Sequence, residues 1–344
     1  MNALTSKIFG CLLGGAIGNA MGSIVENWTY EKIEKTYGRI EDPLQIGRIA
    51  KEDDNRIGLL FCEAFLRHGK HITPEDLAEI WLDQFDPGTD FFWCMRNTLE
   101  LLRKGVSPRQ TGMYNINTGS AIMAIAPVGI YNAMEPARAF TDALDLAYMY
   151  QPQPDAQAAA TLAAGIAKAI EPNTSPEAIV ATMVDIAPLD KLTYWNDRDL
   201  TSVRASMDVA VDIASKYGTD WWGARREIYD RLAQWHAIDP VEVLSITTCI
   251  FQMTQGDYHE GCIAATNVGR DADTITNLVG ALCGALHGAE CIPEEWREGV
   301  QECAPAVYDR FQAIAQKFGE ILSQKAKNYA EISNNLKSLE NMQE

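Results

Sequence analysis

Two short stretches of this 344-residue chain concentrate oxygen donors. Residues 267–276 place Asp271, Asp273 and Thr274 directly before an uncharged run, 275–288, that reads as a buried helix. Side chains two residues apart on a helix point about 200° away from each other, so Asp271 and Asp273 converge only if the first lies in the loop and the second opens the helix. An Asp or Thr at that junction also caps free N–H groups, so a helix N-cap with a spare acid is the plain alternative. Glu52, Asp53 and Asp54, followed by Asn55, repeat the layout ahead of an apolar segment, 57–66, with helical period. Adjacent like charges repel, which makes such a cluster either a solvated turn or a cation site. The acids of the two knots are hard oxygen donors with no soft ligand among them, a set that suits Mg²⁺, Mn²⁺ or Ca²⁺.

The pairing of Glu52-Asp-Asp-Asn55 with Gly269-Arg-Asp-Ala-Asp-Thr274, followed by the glycine row Gly280, Gly284, Gly288 and by Ile292-Pro293, resembles the ADP-ribosylglycohydrolase family. The opening Gly10, Gly14, Gly18, Gly22 and Glu26 fits that family's first motif, so the resemblance covers nearly the whole chain. It implies an all-α, compact multi-helix orthogonal bundle and two divalent cations, Mg²⁺ or Mn²⁺. Their ligands would be Asp53, Asp54, Asp271, Asp273 and Thr274, with Glu52 replacing a threonine. It also implies catalytic roles for Glu26, Asp53 and Asp271, Glu26 as a gate or acid/base. Substrate contacts would come from Asn117, Gly119, Ser120, Met123, Gln151, Gly269 and Arg270.

The implied reaction is metal-dependent hydrolysis of a ribosyl glycosidic bond, in which cations fix the ribose hydroxyls and activate water. The substrate would be a riboside, an ADP-ribose conjugate or an ADP-ribosylated protein. The alternative is an inactive ADP-ribose- or metal-binding protein on the same scaffold. Several positions depart from the family pattern. Ala124 stands where an arginine is usual, Gln151 near a usual histidine, Glu52 and Asn55 at usual threonines, and Asn19 at a usual aspartate. Weaker polar contacts to a diphosphate, and an added charge from Glu52, shift the expected selectivity toward the ribose.

Between the knots, residues 115–129 pair a small polar opening with an apolar run. That combination suits a backbone-lined anion pocket, or simply a loop and a buried helix. The five histidines show no HxxxH or HExxH spacing, and no GxSxG or P-loop is present. Trp221-Trp222 and Asp90-Phe-Phe-Trp93 are read first as packing aromatics.

Positioning these groups requires helices. Caps and periodicity predict them at 73–85, 90–104, 137–150, 156–170, 177–186, 203–216, 220–236, 240–254 and 294–324, with a break at Pro87-Gly88. Glycines 10, 14 and 18, like 280, 284 and 288, form smooth stripes that let helix backbones approach closely, so the two stripes are expected to pack together. The uncharged run 8–25 raises a signal peptide or anchor as a rival, but it contains Asn19 and these glycines. No linker divides the chain, so 1–325 is expected as one domain and 326–344 as a solvated tail. A net charge of −18 with a pI near 4.7 argues against nucleic acid or an anionic membrane as partner. Eight single cysteines without a CxxC pair point to a reduced, cytoplasmic setting.

Overall fold

The computed structural model describes residues 1–86, 88, 92–189 and 202–340. Among them the chain forms seventeen α-helices and no strand, the all-α architecture expected. In order these are α1 (Ala3–Gly22), α2 (Tyr30–Tyr37), α3 (Asp53–His68), α4 (Pro74–Gln84), α5 (Trp93–Arg103), α6 (Pro108–Thr111), α7 (Ala126–Tyr131), α8 (Pro136–Ala147) and α9 (Asp155–Ala169). There follow α10 (Pro176–Ile186), α11 (Val203–Tyr217), α12 (Trp221–Arg231), α13 (Pro240–Met253), α14 (Tyr258–Val268), α15 (Ala272–His287), α16 (Glu294–Cys303) and α17 (Pro305–Glu340).

Local chemistry sets most boundaries. Thr73 and Asp76 form a reciprocal cap on α4: the Asp76 N–H donates to Thr73 Oγ1 at 3.3 Å, the Thr73 N–H donates to Asp76 Oδ2 at 2.8 Å, and Pro74 opens the helix. Three boundaries differ from expectation. Helix α3 begins at Asp53 rather than near Ile57, which puts Asp53 and Asp54 in its first turn. The block 294–324 is two helices, because Pro305 has no N–H to donate and its ring blocks the preceding turn. Helix α12 stops at Arg231, since the chain must turn before Asp239 can cap α13. The breaks and aromatics expected at Pro87, Asp90 and Phe91, and the last four residues of the tail, lie outside the described residues. Helix α17 itself runs unbroken to Glu340, exposed from residue 326 onward.

At the centre, α1 and α15 lie antiparallel and almost wholly buried. A β-carbon added to Gly10 would sit 2.7 Å from the carbonyl oxygen of Gly284, and one on Gly14 would sit 2.9 Å from that of Gly280. Gly18 likewise faces the Thr276 carbonyl and Gly22 that of Ala272. Each glycine costs about 1 kcal/mol of helix propensity against alanine, and the backbone contact it permits supplies offsetting dispersion. Tyr258 locks the pair, its hydroxyl donating to the Gly14 carbonyl at 2.9 Å. The apolar run 8–25 is thus buried against protein, and no described helix is long and apolar enough to cross a membrane.

Because backbone meets backbone, a side chain at this seam has nowhere to go. Gly284→Leu is expected to lower stability by about 3 kcal/mol or more through overpacking. Chemical denaturation against the parent checks this, and an unchanged midpoint would show that the seam can open.

Candidate active site

The antiparallel register sets the C-terminal end of α1 beside the N-terminal end of α15. From there the chain loops through Glu26 and is pinned by three contacts. The Asn27 N–H donates to the Arg270 carbonyl at 2.7 Å, the Arg270 N–H donates to the Trp28 carbonyl at 2.9 Å, and Thr29 and Gly269 form an isolated antiparallel bridge. Gly269 and Arg270 adopt φ of +78° and +65°, and any side chain on Gly269 would meet the Trp28 carbonyl. This tight turn carries Asp271 into the N-cap position of α15, yet its carboxylate makes no capping bond. Asp273 follows in the first turn.

The result is that one carboxylate oxygen each from Glu26, Asp271 and Asp273 lies within 4.8 Å of the other two. Glu26 is exposed, whereas Asp271 and Asp273 are buried. Asp273 Oδ1 is buried without any hydrogen-bond partner. The first knot joins through Asn277, one turn beyond Asp273. Its side-chain amide donates to Asp54 Oδ2 at 2.9 Å and to the Met123 carbonyl at 3.2 Å. Asp54 and Asn277 line a cavity of about 30 Å³ together with Met123. Asp53 is half-buried at the start of α3, and Thr274 is buried beside Asp273. Glu52 is buried and engaged, accepting from Arg48 Nε at 2.8 Å.

Electrostatics mark the same group. Burial, then the charge of Glu26 and Asp53, pushes the Asp273 carboxyl up to about 8. Burial and Asp273 hold both Asp54 and Asp271 well above the usual carboxylate range, and burial with Asp53 and Glu52 raises Glu26. Buried carboxylates that oppose one another's ionisation, one with an orphan oxygen, fit a hard divalent cation. Such an ion offsets the repulsion and fills the vacant bond.

The residues expected on the substrate side are placed differently from one another. Gly119 and Ser120 are buried, and the N–H groups of Ala121 and Ile122 donate to the Asp155 carboxylate at 3.0 and 3.2 Å. The backbone cradle expected for an anion therefore already holds one, an internal carboxylate whose pKa burial raises to about 7. Asn117 braces this turn, its side chain bonding the Gln153 carbonyl at 2.7 Å and the Asp155 N–H at 3.1 Å. Gln151 is fully buried and donates to Cys94 Sγ at 3.0 Å and Thr118 Oγ1 at 2.9 Å. Arg270 turns its guanidinium to Glu242, at 2.6 and 3.0 Å, and to the Trp235 carbonyl at 2.9 Å. Met123 alone of this set borders the Asp54 cavity.

Sequence reasoning missed Asn277, Asp155 and Glu242. Asn277 had a readable signal, since it lies four residues after Asp273 on one helix face. Asp155 and Glu242 gave none, because their partners are distant in the chain.

With the geometry in place, comparison identifies the class. The ADP-ribosylglycohydrolase family model matches residues 1–330, and the chain belongs to that family of glycosidic-bond hydrolases. An uncharacterized Escherichia coli protein, YegU, is 24% identical over 91% of this chain and 97% of its own length. The ADP-ribosylarginine hydrolase Tri1 of Serratia proteamaculans is 22% identical over 84% of this chain and 74% of its own. A solved structure titled "ADP-ribosylglycohydrolase-related protein complex" superposes with a TM-score of 0.66 at 19% identity, covering 93% of this chain and 99% of that one, and so shares the fold.

The Arg270–Glu242 pair holds the turn that aims Asp271. Glu242 is fully buried, and burial, partly offset by Arg270, raises its pKa to about 7. Arg270→Met should therefore destabilise the fold by about 3 kcal/mol, by leaving a buried carboxylate uncompensated. A carboxylate with a raised folded-state pKa stabilises fully below its unfolded value and loses that contribution as pH rises through the folded one. Denaturation midpoints should consequently show a greater loss at pH 8 than at pH 5.5; a pH-independent loss would contradict this role.

Proposed function

We propose that this hydrolase uses divalent cations to cleave a ribosyl glycosidic bond, and that its preferred substrate is a small riboside or mononucleotide-type conjugate. The convergence of Glu26, Asp271 and Asp273, with Asp273 Oδ1 buried and unpartnered, carries the reading. These three residues would hold one ion. Asp53 and Asp54, with Thr274, would complete a two-ion site for Mg²⁺ or Mn²⁺, as the hardness of the donors favours. A bound divalent cation supplies positive charge that fixes vicinal ribose hydroxyls and lowers the pKa of an attacking water.

The chain's own residues do the rest. Asp271 and Asp273 would fix the position of the cation against which the ribose binds. Glu26 is the exposed member of the three, so it would gate the site toward solvent. Substrate size follows from the neighbouring loop. Its N–H groups at 121 and 122 are already taken by Asp155, Gln151 is enclosed, and Ala124 offers no charge. That leaves little to clamp a diphosphate, although the Tri1 relatives are named for ADP-ribosylarginine.

Four outcomes follow. Mg²⁺ or Mn²⁺ at 100 times its dissociation constant should raise stability by about 2.7 kcal/mol over an EDTA control. At one fixed metal concentration the gain should be larger at pH 8 than at pH 6, because protons compete with the cation for the buried carboxylates. Without cation, Asp54, Asp271 and Asp273 contribute stability fully below the unfolded value of about 3.9 and lose it as pH climbs through their raised folded values, about 8 for Asp273. Superimposable melts with and without metal would remove the cation site. In turnover assays, Asp273→Asn should cut kcat by roughly a thousandfold, about 4 kcal/mol, and kcat/KM for small ribosides should equal or exceed that for ADP-ribosyl-arginine on protein. A strong preference for the protein conjugate would overturn the selectivity, and an active Asp273→Asn enzyme would overturn the mechanism.

A further inference from the structure

Beside the acidic centre, a second cavity of about 260 Å³ opens between the first two turns of α3 and of α17. Asn55, Arg56 and Leu59 line it from α3, and Ala306, Arg310 and Phe311 from α17. Asn55, Leu59 and Phe311 also line the small cavity next to Asp54, so the two spaces share a wall. Their chemistry is opposite. The first has one carboxylate in its wall, Asp54, and no arginine, whereas the second has two arginines and, among the described residues, no Asp or Glu.

Two arginines, Arg56 and Arg310, line this partly apolar cavity in a chain with 47 acids and 29 Lys and Arg. Arg310 makes no ion pair with a carboxylate among the described residues. A guanidinium is weakly hydrated, keeps its charge at any working pH and presents a planar fork matched to phosphate oxygens. The start of the 36-residue α17 adds partial positive charge at the same wall. The volume admits a small molecule.

We propose that this cavity binds a phosphate group, free or carried on a small organic molecule, separately from any cation in the acidic centre. The proposal stands apart from the hydrolase reading and is tested without metal. The full chain in EDTA is titrated with inorganic phosphate, ribose 5-phosphate and ribose, followed by calorimetry and ³¹P NMR. Saturable binding of the phosphorylated probes but not of ribose is expected. Equal affinity for the two phosphates would assign the site to the free ion, and tighter ribose 5-phosphate to a phosphorylated sugar. Arg310→Gln and Arg56→Gln, each shown to melt like the parent, should weaken binding at least tenfold. On the unaltered protein, phosphate should shield Arg310 from phenylglyoxal, read by peptide mass. Absence of saturable phosphate binding, ribose binding as tightly as its phosphate, unchanged affinity in both variants, or an unshielded Arg310 would each overturn the proposal.

Discussion

The contact on which the rest depends is the antiparallel seam between α1 and α15, where glycine backbones touch with no side chain between them. A seam of side chains can slide or repack, but carbonyls seated against glycines admit few registers. The register brings Gly22 to Ala272, so the loop after α1 and the turn before α15 meet at one place. Glu26 and Asp271 stand together for that reason. The cost in helix propensity at the molecule's centre is thus tied to the geometry of the acidic cluster at its end.

Around that cluster the protein accepts electrostatic strain and contains it. Asp54, Asp271 and Asp273 are buried near one another, where each opposes the ionisation of the others. The neighbouring charges are not left in the same condition: Glu52 is paired with Arg48, Glu242 with Arg270, and Asp155 with two backbone N–H groups. Each of these carboxylates has a named partner, whereas Asp273 Oδ1 in the cluster has none. Uncompensated charge of this kind is a feature of functional sites, since it costs stability that packing must supply elsewhere.

Much of this was legible in the chain because its signals are local. The glycine stripes, the Thr73-Pro74 cap and the two acidic knots depend on residues a few positions apart, and periodicity or capping chemistry exposes them directly. What stayed hidden was long-range. Arg270 sits inside the late motif and reads as a substrate contact, but its partner Glu242 lies 28 residues away and gives no local sign. Residues 115–129 read as a backbone-lined pocket for an external anion or as a loop and buried helix, and only the fold shows the Asp155 carboxylate seated on the N–H groups of Ala121 and Ile122. Pro305 was legible in principle, since proline inside a helical pattern ends the helix, and the even apolar spacing on either side of it masked the break.

The central claim is that Glu26, Asp271 and Asp273 form a divalent-cation site in the glycosidic centre. Its most direct measurement is the anomalous scattering of Mn²⁺ in crystals of the full chain grown with the metal. The account predicts a peak between the carboxylates of Glu26, Asp271 and Asp273, with Asp273 Oδ1 about 2.0–2.2 Å from it, the ordinary range for hard-cation coordination by oxygen. A saturated crystal with Mn²⁺ bound only elsewhere, or with none bound, would contradict it.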